Sequence, residues 1–382
     1  MYKPSIDKIQ LIRSIRLCGT PYLGCTRYTC KSCGDEHEVY LHCGNSHCML
    51  CQNYKRLVWQ SKLSSRLYNV PYCHTTFTLP KELRSLAKRN PKQLYDILFK
   101  SAWACLEKVA KKLGVRLGMV GVLHTWGSDL KYHPHIHCLV TFGGIDENNK
   151  WKWPASSRRL YKYSRMNTYY KESFLKHLKY SYKKGKINYH LDYDQVELEV
   201  KSKEWVINNA WPTENTEVIE SYLSKYINRS AVSKKRVIYN TSNSEVEIIY
   251  KDYKNQKQGE PAKYISKKIS PLLAIHQIVQ HKLPPYYHRV RYYGLHHSAV
   301  ERKIKPILDQ KLVGNKDSVR ILFELLSKML RQQNKSEKRQ CPTCGHDKFD
   351  CEKKAGDMSW VYANIVGYGS NKSPPVKRVS GY

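Results

Sequence analysis

The stretch "KYHPHIHCLVTF", Lys131 to Phe142, decides how the centre of this chain is read. His133, His135 and His137 alternate with Pro134 and Ile136, and an apolar run follows. Alternate side chains of a β-strand share one face. The three imidazoles therefore point one way, while Ile136, Cys138 and Val140 point the other, towards a core. "GMVGVLHTW" upstream reads as a second strand. The polar, turn-rich "GSDLKYHP" between them makes the two an antiparallel hairpin or near neighbours.

Two imidazoles at His-x-His spacing on a strand can chelate one divalent ion. Two rarely suffice, so a third ligand is expected from a neighbouring strand. His124 is well placed if the strands pair antiparallel, and Asp129 and His133 are its rivals. In a phosphate-handling protein such an ion, Mg2+ or Mn2+, is a Lewis acid on the scissile phosphate. A nucleophile is offered by "SYLSKYINR", where Tyr222 and Tyr226 lie four apart and share one helix face. Lys225 and Arg229 flank them, to hold phosphate or to lower a phenol pKa. A tyrosine nucleophile would conserve phosphodiester energy for rejoining. The bland alternatives are satisfied histidines on a strand and two rings packed on a helix face.

The 382 residues carry 66 Lys and Arg against 32 Asp and Glu, a net +34 spread along the chain. Such a surplus suits a polyanion, whose counterions are released on binding. Of the 30 tyrosines many lie among lysines, most densely in "RRLYKYSRMNTYYKESFLKHLKYSYKK" (158–184). Rings for base stacking and cations for phosphates are what a single-stranded nucleic-acid site needs. Codon bias could raise Lys and Tyr counts, but not leave acids outnumbered two to one. No run of 18 apolar residues occurs, and "MYKPSIDKIQ" lacks the apolar centre of a signal peptide. The expectation is a soluble, cytoplasmic, nucleoid-associated protein with DNA as its partner.

Thirteen cysteines in such a chain argue for metal before disulfides. Cys30-x2-Cys33 and Cys48-x2-Cys51 flank the strand-like "EHEVYLH" at zinc-ribbon spacing, which predicts all four thiolates at one tetrahedral zinc. Cys18, Cys43 and His47 are candidates for a second site, with Cys25, His37 and His42 in reserve. Four thiolates leave no open position, so the ribbon orders the N-terminus or holds DNA. Near the other end, "CPTCGHDKFDC" supplies Cys341, Cys344 and Cys351, too few for four thiolates unless His346 joins them. Cys73, Cys105 and Cys138 sit in apolar surroundings as buried thiols.

These features divide the chain into a zinc-binding domain (1–65), a catalytic domain (66–300) and a C-terminal helical region with a small cysteine cluster and a flexible basic tail (301–382). "YCHTTFTLP" and "HRVRYYG" read as strands, and "KRVIYN" with "EVEIIYKDY" as a hairpin. "PKQLYDILFKSAWACLEKVAKKLG" reads as a helix with Pro91 in its first turn and Gly114 as its stop. Further helices are expected in part of 151–215 and in "NTEVIESYLSKYINRSAVS", "SPLLAIHQIVQHKLP" and "KDSVRILFELLSKMLRQQ".

Taken in order, "CGTPYLGCTRYTCKSCG…HCGNSHCMLCQ", "PYCHTTFTLPKELR", "VLHTWGSDLKYHPHIHCLVTFGG", "YLSKYINR" and "VRYYGL" resemble the bacterial insertion-sequence transposases of the rolling-circle, two-tyrosine HUH type with an N-terminal zinc-binding domain. The resemblance spans about Cys18 to Leu295. It implies an α+β architecture, a zinc ribbon followed by an HUH-nuclease antiparallel sheet flanked by helices. It places His135 and His137 at the HUH positions and Tyr222 and Tyr226 at the paired tyrosines, and leaves the third metal ligand to the geometric argument for His124. It also implies 5′-phosphotyrosine intermediates on single-stranded DNA, without a carboxylate triad. Lys225, Arg229 and Arg291 are the expected DNA contacts. The chain departs from the family's frequent "RNRHCPKC" in reading "GNSHCMLC", which loses an Arg and a Pro but keeps the thiols. Within the same chemistry the alternatives are a replication initiator or relaxase. Outside it stands a non-catalytic zinc nucleic-acid-binding protein or a decayed element.

Overall fold

The computed structural model describes residues 6–45, 47–52, 59, 63, 66–68, 70–188, 192–203, 205–209, 212, 236–252, 263–311 and 340–356. Its strands, in chain order, are β1 (Cys25–Cys30), β2 (Glu36–Tyr40), β3 (Tyr72–Thr78), β4 (Gly118–Trp126), β5 (Tyr132–Thr141), β6 (Gly144–Ile145), β7 (Trp151–Lys152), β8 (Ile207–Asn209), β9 (Val237–Asn240), β10 (Glu245–Lys251), β11 (Tyr264–Ile269), β12 (Val290–Gly294) and β13 (Phe349–Lys354). No helix among the described residues is long and apolar enough to cross a membrane.

The centre is an antiparallel five-stranded sheet in the order β12-β4-β5-β3-β8. β4 and β5 form the hairpin expected from alternation and turn chemistry, with His124 opposite His135 and Val122 opposite His137. The register slips between His124 and Trp126, so Pro134 falls where β5 carries an extra residue. A bulge is where a central strand can hold a residue with no N–H to give. The Pro134 carbonyl still accepts from Leu79 N–H at 3.0 Å.

Both faces of this sheet are covered, at least in part. Phe77, Met119, Leu123, Ile136, Cys138 and Val140 pack beneath helices Pro91–Leu113 and Tyr163–Lys183. The first helix buries Leu94, Leu98, Ala102, Leu106 and Val109 at helical spacing, and Gly114, at φ +66°, ends it in the left-handed conformation that a side chain resists. The second brings Met166, Tyr170, Phe174 and Leu178 to the same core. Tyr170, read from sequence as part of a basic stacking surface, is instead enclosed by Phe77, Phe174 and Trp205. Tyr163 and Tyr180 of that segment remain exposed.

On the opposite face Tyr72, Val120, Val122 and Leu139 pack against Leu63, Leu67, Tyr68 and Leu295. Ile304 and Leu308 of helix Ser298–Lys311 complete that cluster. A second sheet, β11-β10-β9, buries Val246 and Ile248 against Leu130 and Ala274. It grips the β4–β5 turn, since Lys267 Nζ donates to the Asp129 carbonyl at 2.7 Å and Arg236 to that of Ser128. The third sheet, β13-β1-β2, joins the two ends of the chain. The segment expected as a separate C-terminal region is thus divided: its first residues pack on the central sheet, and 349–354 pair with the N-terminal strand β1. The helices expected around Tyr222 and at 316–333 lie outside the described residues.

His296 is buried between the rings of Tyr68 and Tyr72, at centroid distances of 4.9 and 5.8 Å. Its Nε2 lies 3.1 Å from Tyr72 Oη. Burial pushes its pKa down to about 3, so folding selects the neutral ring. The unfolded chain binds the extra proton below about pH 6.5, and stability falls by about 1.4 kcal/mol per pH unit from there towards about pH 3 for this one residue. Denaturant midpoints between pH 7.5 and 4.5 should therefore decline less steeply in His296→Phe than in the unaltered chain. Parallel slopes would show that His296 does not titrate in this way.

Candidate metal centre and nucleic-acid interface

Antiparallel pairing puts opposite residues on the same face. His124 on β4 therefore stands beside His135 on β5, and His137 is two residues along. The ligand nitrogens of the three rings all lie within 4.8 Å of one another. His135 Nε2 and His137 Nε2 are 2.9 Å apart, and adjacent ligands on an octahedral ion of Mg2+ size are separated by about 3 Å.

The surroundings fix the tautomer of His135. His135 Nδ1 donates to the His133 carbonyl at 2.6 Å, which leaves its Nε2 lone pair for an ion. His137 Nδ1 faces His74 Nε2 at 3.0 Å and Thr76 Oγ1 at 3.3 Å. Such outer contacts orient a ligand ring and set its basicity. Burial pushes the His135 pKa down to about 4 and that of His137 well below the usual range. Neutral imidazole is the form that binds metal. His124 stacks on Trp126, with centroids 4.6 Å apart. The donor set fits a divalent ion.

His133 and Asp129, the rivals for the third position, are outside the clustered set, although the His133 ring lies 5.1 Å from that of His135. The His133 ring is against Arg84, and Asp129 pairs with Lys131. Sequence reading missed His74. In "YCHTTFT" it alternates with Cys73 and Phe77, a pattern that marks a strand face but not the neighbouring strand, and it shares the imidazole face once β3 pairs with β5. Also missed was a groove of about 460 Å³ lined by Arg84, Lys88, Lys131, Tyr132 and His276. It adjoins the centre through the Arg84–His133 contact.

Tyr222, Tyr226, Lys225 and Arg229 lie outside the described residues. Arg291, expected at DNA, is held by an ion pair to Asp96 and lies over the rings of Phe99 and Tyr287, at 4.5 and 5.1 Å. That places it on the helix-covered side of the sheet, away from the imidazoles.

The cysteines are partitioned differently from the single four-thiolate ribbon expected. Cys48 and Cys51 meet Cys18 and Cys43, whereas Cys30 and Cys33 meet Cys341 and Cys344. Sequence spacing pairs cysteines only within a knuckle, and tertiary folding chooses which knuckles share a site. In the first group Cys18 Sγ and Cys43 Sγ lie 3.5 and 3.7 Å from Cys51 Sγ. The Cys43 and Gly44 amides point at sulfur, as suits thiolates around zinc. His47 is not among them, and burial pushes its pKa down to about 4 beside the His281 main chain. His346 and Cys351 stand outside both groups.

Two family models match the chain, one described as "Putative transposase" over residues 118–303 and one as "Transposase zinc-binding domain" over residues 2–79. Among curated proteins, y4qJ of Sinorhizobium fredii, which carries the first of these descriptions, is 29% identical over 75% of this chain and 73% of its own. The transposase for insertion sequence element IS801 of Pseudomonas savastanoi pv. phaseolicola is 29% identical over 75% of this chain and 70% of its own. Among solved structures, the metal-bound conjugative relaxase TrwC in complex with oriT DNA aligns at 11% identity and a TM-score of 0.26, over 85% of this chain and 96% of its own.

Mn2+ affinity, read by isothermal titration, should be lost in His135→Ala and fall by about 10- to 100-fold in His74→Ala. Unchanged affinity in His74→Ala would remove that ring from the centre.

Proposed function

Since the chain belongs to the insertion-sequence transposases that carry an N-terminal zinc-binding domain, we propose that it nicks and rejoins single-stranded DNA at the ends of its element by tyrosine attack beside a divalent ion. The observation that carries this reading is the convergence of His124, His135 and His137 on one sheet face. Mg2+ or Mn2+ held by these imidazoles would supply Lewis-acid stabilisation of the charge that develops on the scissile phosphate.

The protein's own groups do the rest. The Oη of Tyr226 or Tyr222 attacks phosphorus, the bond from phosphorus to the 3′ oxygen breaks, and that oxygen leaves as a free 3′-OH. The phosphodiester energy is kept in the 5′-phosphotyrosine, and the second tyrosine or the freed 3′-OH serves the next transfer. Lys225 and Arg229 are proposed to hold phosphate beside the nucleophile. Arg84, Lys88 and Lys131 line a groove beside the metal centre, and cations along such a groove track a strand's phosphates. Lys88 also lies over the Tyr132 ring, at 5.2 Å.

Incubation of the protein with labelled single strands from the flanks of its own gene tests this reading. A covalent protein–DNA adduct on a denaturing gel is expected with Mn2+ and not without it. It should vanish in His135→Ala and in whichever of Tyr222→Phe or Tyr226→Phe removes the first nucleophile. DNA binding without any adduct, on every flanking strand, would leave a non-catalytic zinc protein or a decayed element. Lys88→Ala with Lys131→Ala should weaken strand binding at low salt and flatten its salt dependence, with a slope smaller by about 1.4 for two single-strand phosphate contacts.

A further inference from the structure

We infer that Cys30, Cys33, Cys341 and Cys344 hold a second structural zinc ion, which makes the metal-binding domain discontinuous and completes it from the far end of the chain. The matched zinc-binding segment ends at residue 79, so Cys341 and Cys344 fall outside it. The inference goes beyond the nicking chemistry and does not depend on it.

The two knuckles are copies of one another in backbone as well as in sequence. "CKSCGD" and "CPTCGH" each place a Gly after the second Cys, and Gly34 and Gly345 both adopt φ +73°. Gly34 N–H donates to the Cys30 carbonyl at 2.9 Å, and Gly345 N–H to that of Cys341 at 2.8 Å. Cys30 N–H donates to the Asp35 carbonyl at 2.9 Å, and Cys341 N–H to that of His346 at 2.8 Å. In each knuckle the first thiol is buried and the second exposed. Each leads into a strand, β2 or β13, that flanks β1 antiparallel on opposite sides.

The sulfurs are spaced for a metal and not for a bridge. Cys30 Sγ is 3.6 Å from Cys344 Sγ, and Cys33 Sγ is 3.5 Å from Cys341 Sγ. A disulfide needs about 2.05 Å, whereas thiolates on tetrahedral zinc lie about 3.8 Å apart. Among the described residues the sheet around them has little else to hold it. β2 and β13 are mostly exposed, and the ring cluster of Tyr28, His37 and Phe349 is small. Surface pairs such as Lys31 with Asp350 contribute little. A sheet of this size with so little core needs a metal or a covalent tie.

Zinc content of the full-length chain, purified under reducing conditions and measured by elemental mass spectrometry, tests the inference. Two zinc ions per chain are expected, falling to one in Cys341→Ser with Cys344→Ser and staying at two in Cys351→Ser. One ion in the unaltered chain, or two after the double substitution, overturns it. Should the double variant not fold, alkylation of the unaltered chain decides. Cys33 and Cys344, though exposed, should resist iodoacetamide until a chelator is added, while exposed Cys351 reacts at once. Prompt alkylation of all three, or recovery of a Cys33–Cys341 disulfide, overturns the proposal. Neither readout uses DNA, so failure here is distinct from failure of the tyrosine chemistry.

Discussion

The register of one antiparallel strand pair governs this molecule. Because His124 faces His135 across β4 and β5, three imidazoles share one side of the sheet, and Ile136, Cys138 and Val140 are committed to the helices on the other. A slip of one residue would exchange the two sets, burying histidines in an apolar core and exposing the side chains that form it. Burial of Ile136, Cys138 and Val140, all fully enclosed, therefore enforces the placement of the three imidazoles. The packing of the protein and the placement of its chemistry are one constraint seen from two sides.

The position of the centre along the sheet follows from what covers that face. At one end Tyr72, Leu139 and Val122 meet Tyr68, Leu295 and helix Ser298–Lys311. At the other, the β4–β5 turn is gripped by the sheet β11-β10-β9 through Lys267 and Arg236. The imidazoles occupy the interval between, with His74 and Thr76 of β3 bracing His137. Arg84, on the helix Arg84–Arg89, reaches the same neighbourhood and links it to a cationic groove. The imidazoles are thus carried on strands and braced from a third strand, an arrangement suited to holding geometry within narrow limits.

What was legible in the sequence was what local periodicity encodes. The alternation of "HPHIHCLV" announced a strand with two unlike faces, and the turn-rich connector announced its partner, which made His124 a candidate beside Asp129 and His133. What was not legible depended on contacts distant in sequence. His74 joins the imidazoles only because β3 lies beside β5, which nothing in "YCHTTFT" specifies. Arg291, one cation among many, finds Asp96 and the Phe99 ring only in the folded chain. The aromatic richness of 158–184 is divided between surface and core, and composition cannot tell Tyr170, enclosed by Trp205 and Phe174, from exposed Tyr180. The cysteines make the same point: each C-x2-C unit is a local signal, and its partner is not.

The sulfur cluster that joins Cys33 to Cys341 spans 308 residues, and the whole five-stranded sheet lies inside the ring so closed. Cys341 and Cys344 leave the ribosome after every strand of that sheet, so an ion there would close the ring only once the whole sheet has been made. Its effect falls on the disordered chain, which loses the freedom of its ends to separate, a restriction that grows slowly with ring size and is large for a ring this long. Such a clasp would act chiefly by making the unfolded state less disordered, with little demand on how the five-stranded sheet itself is packed.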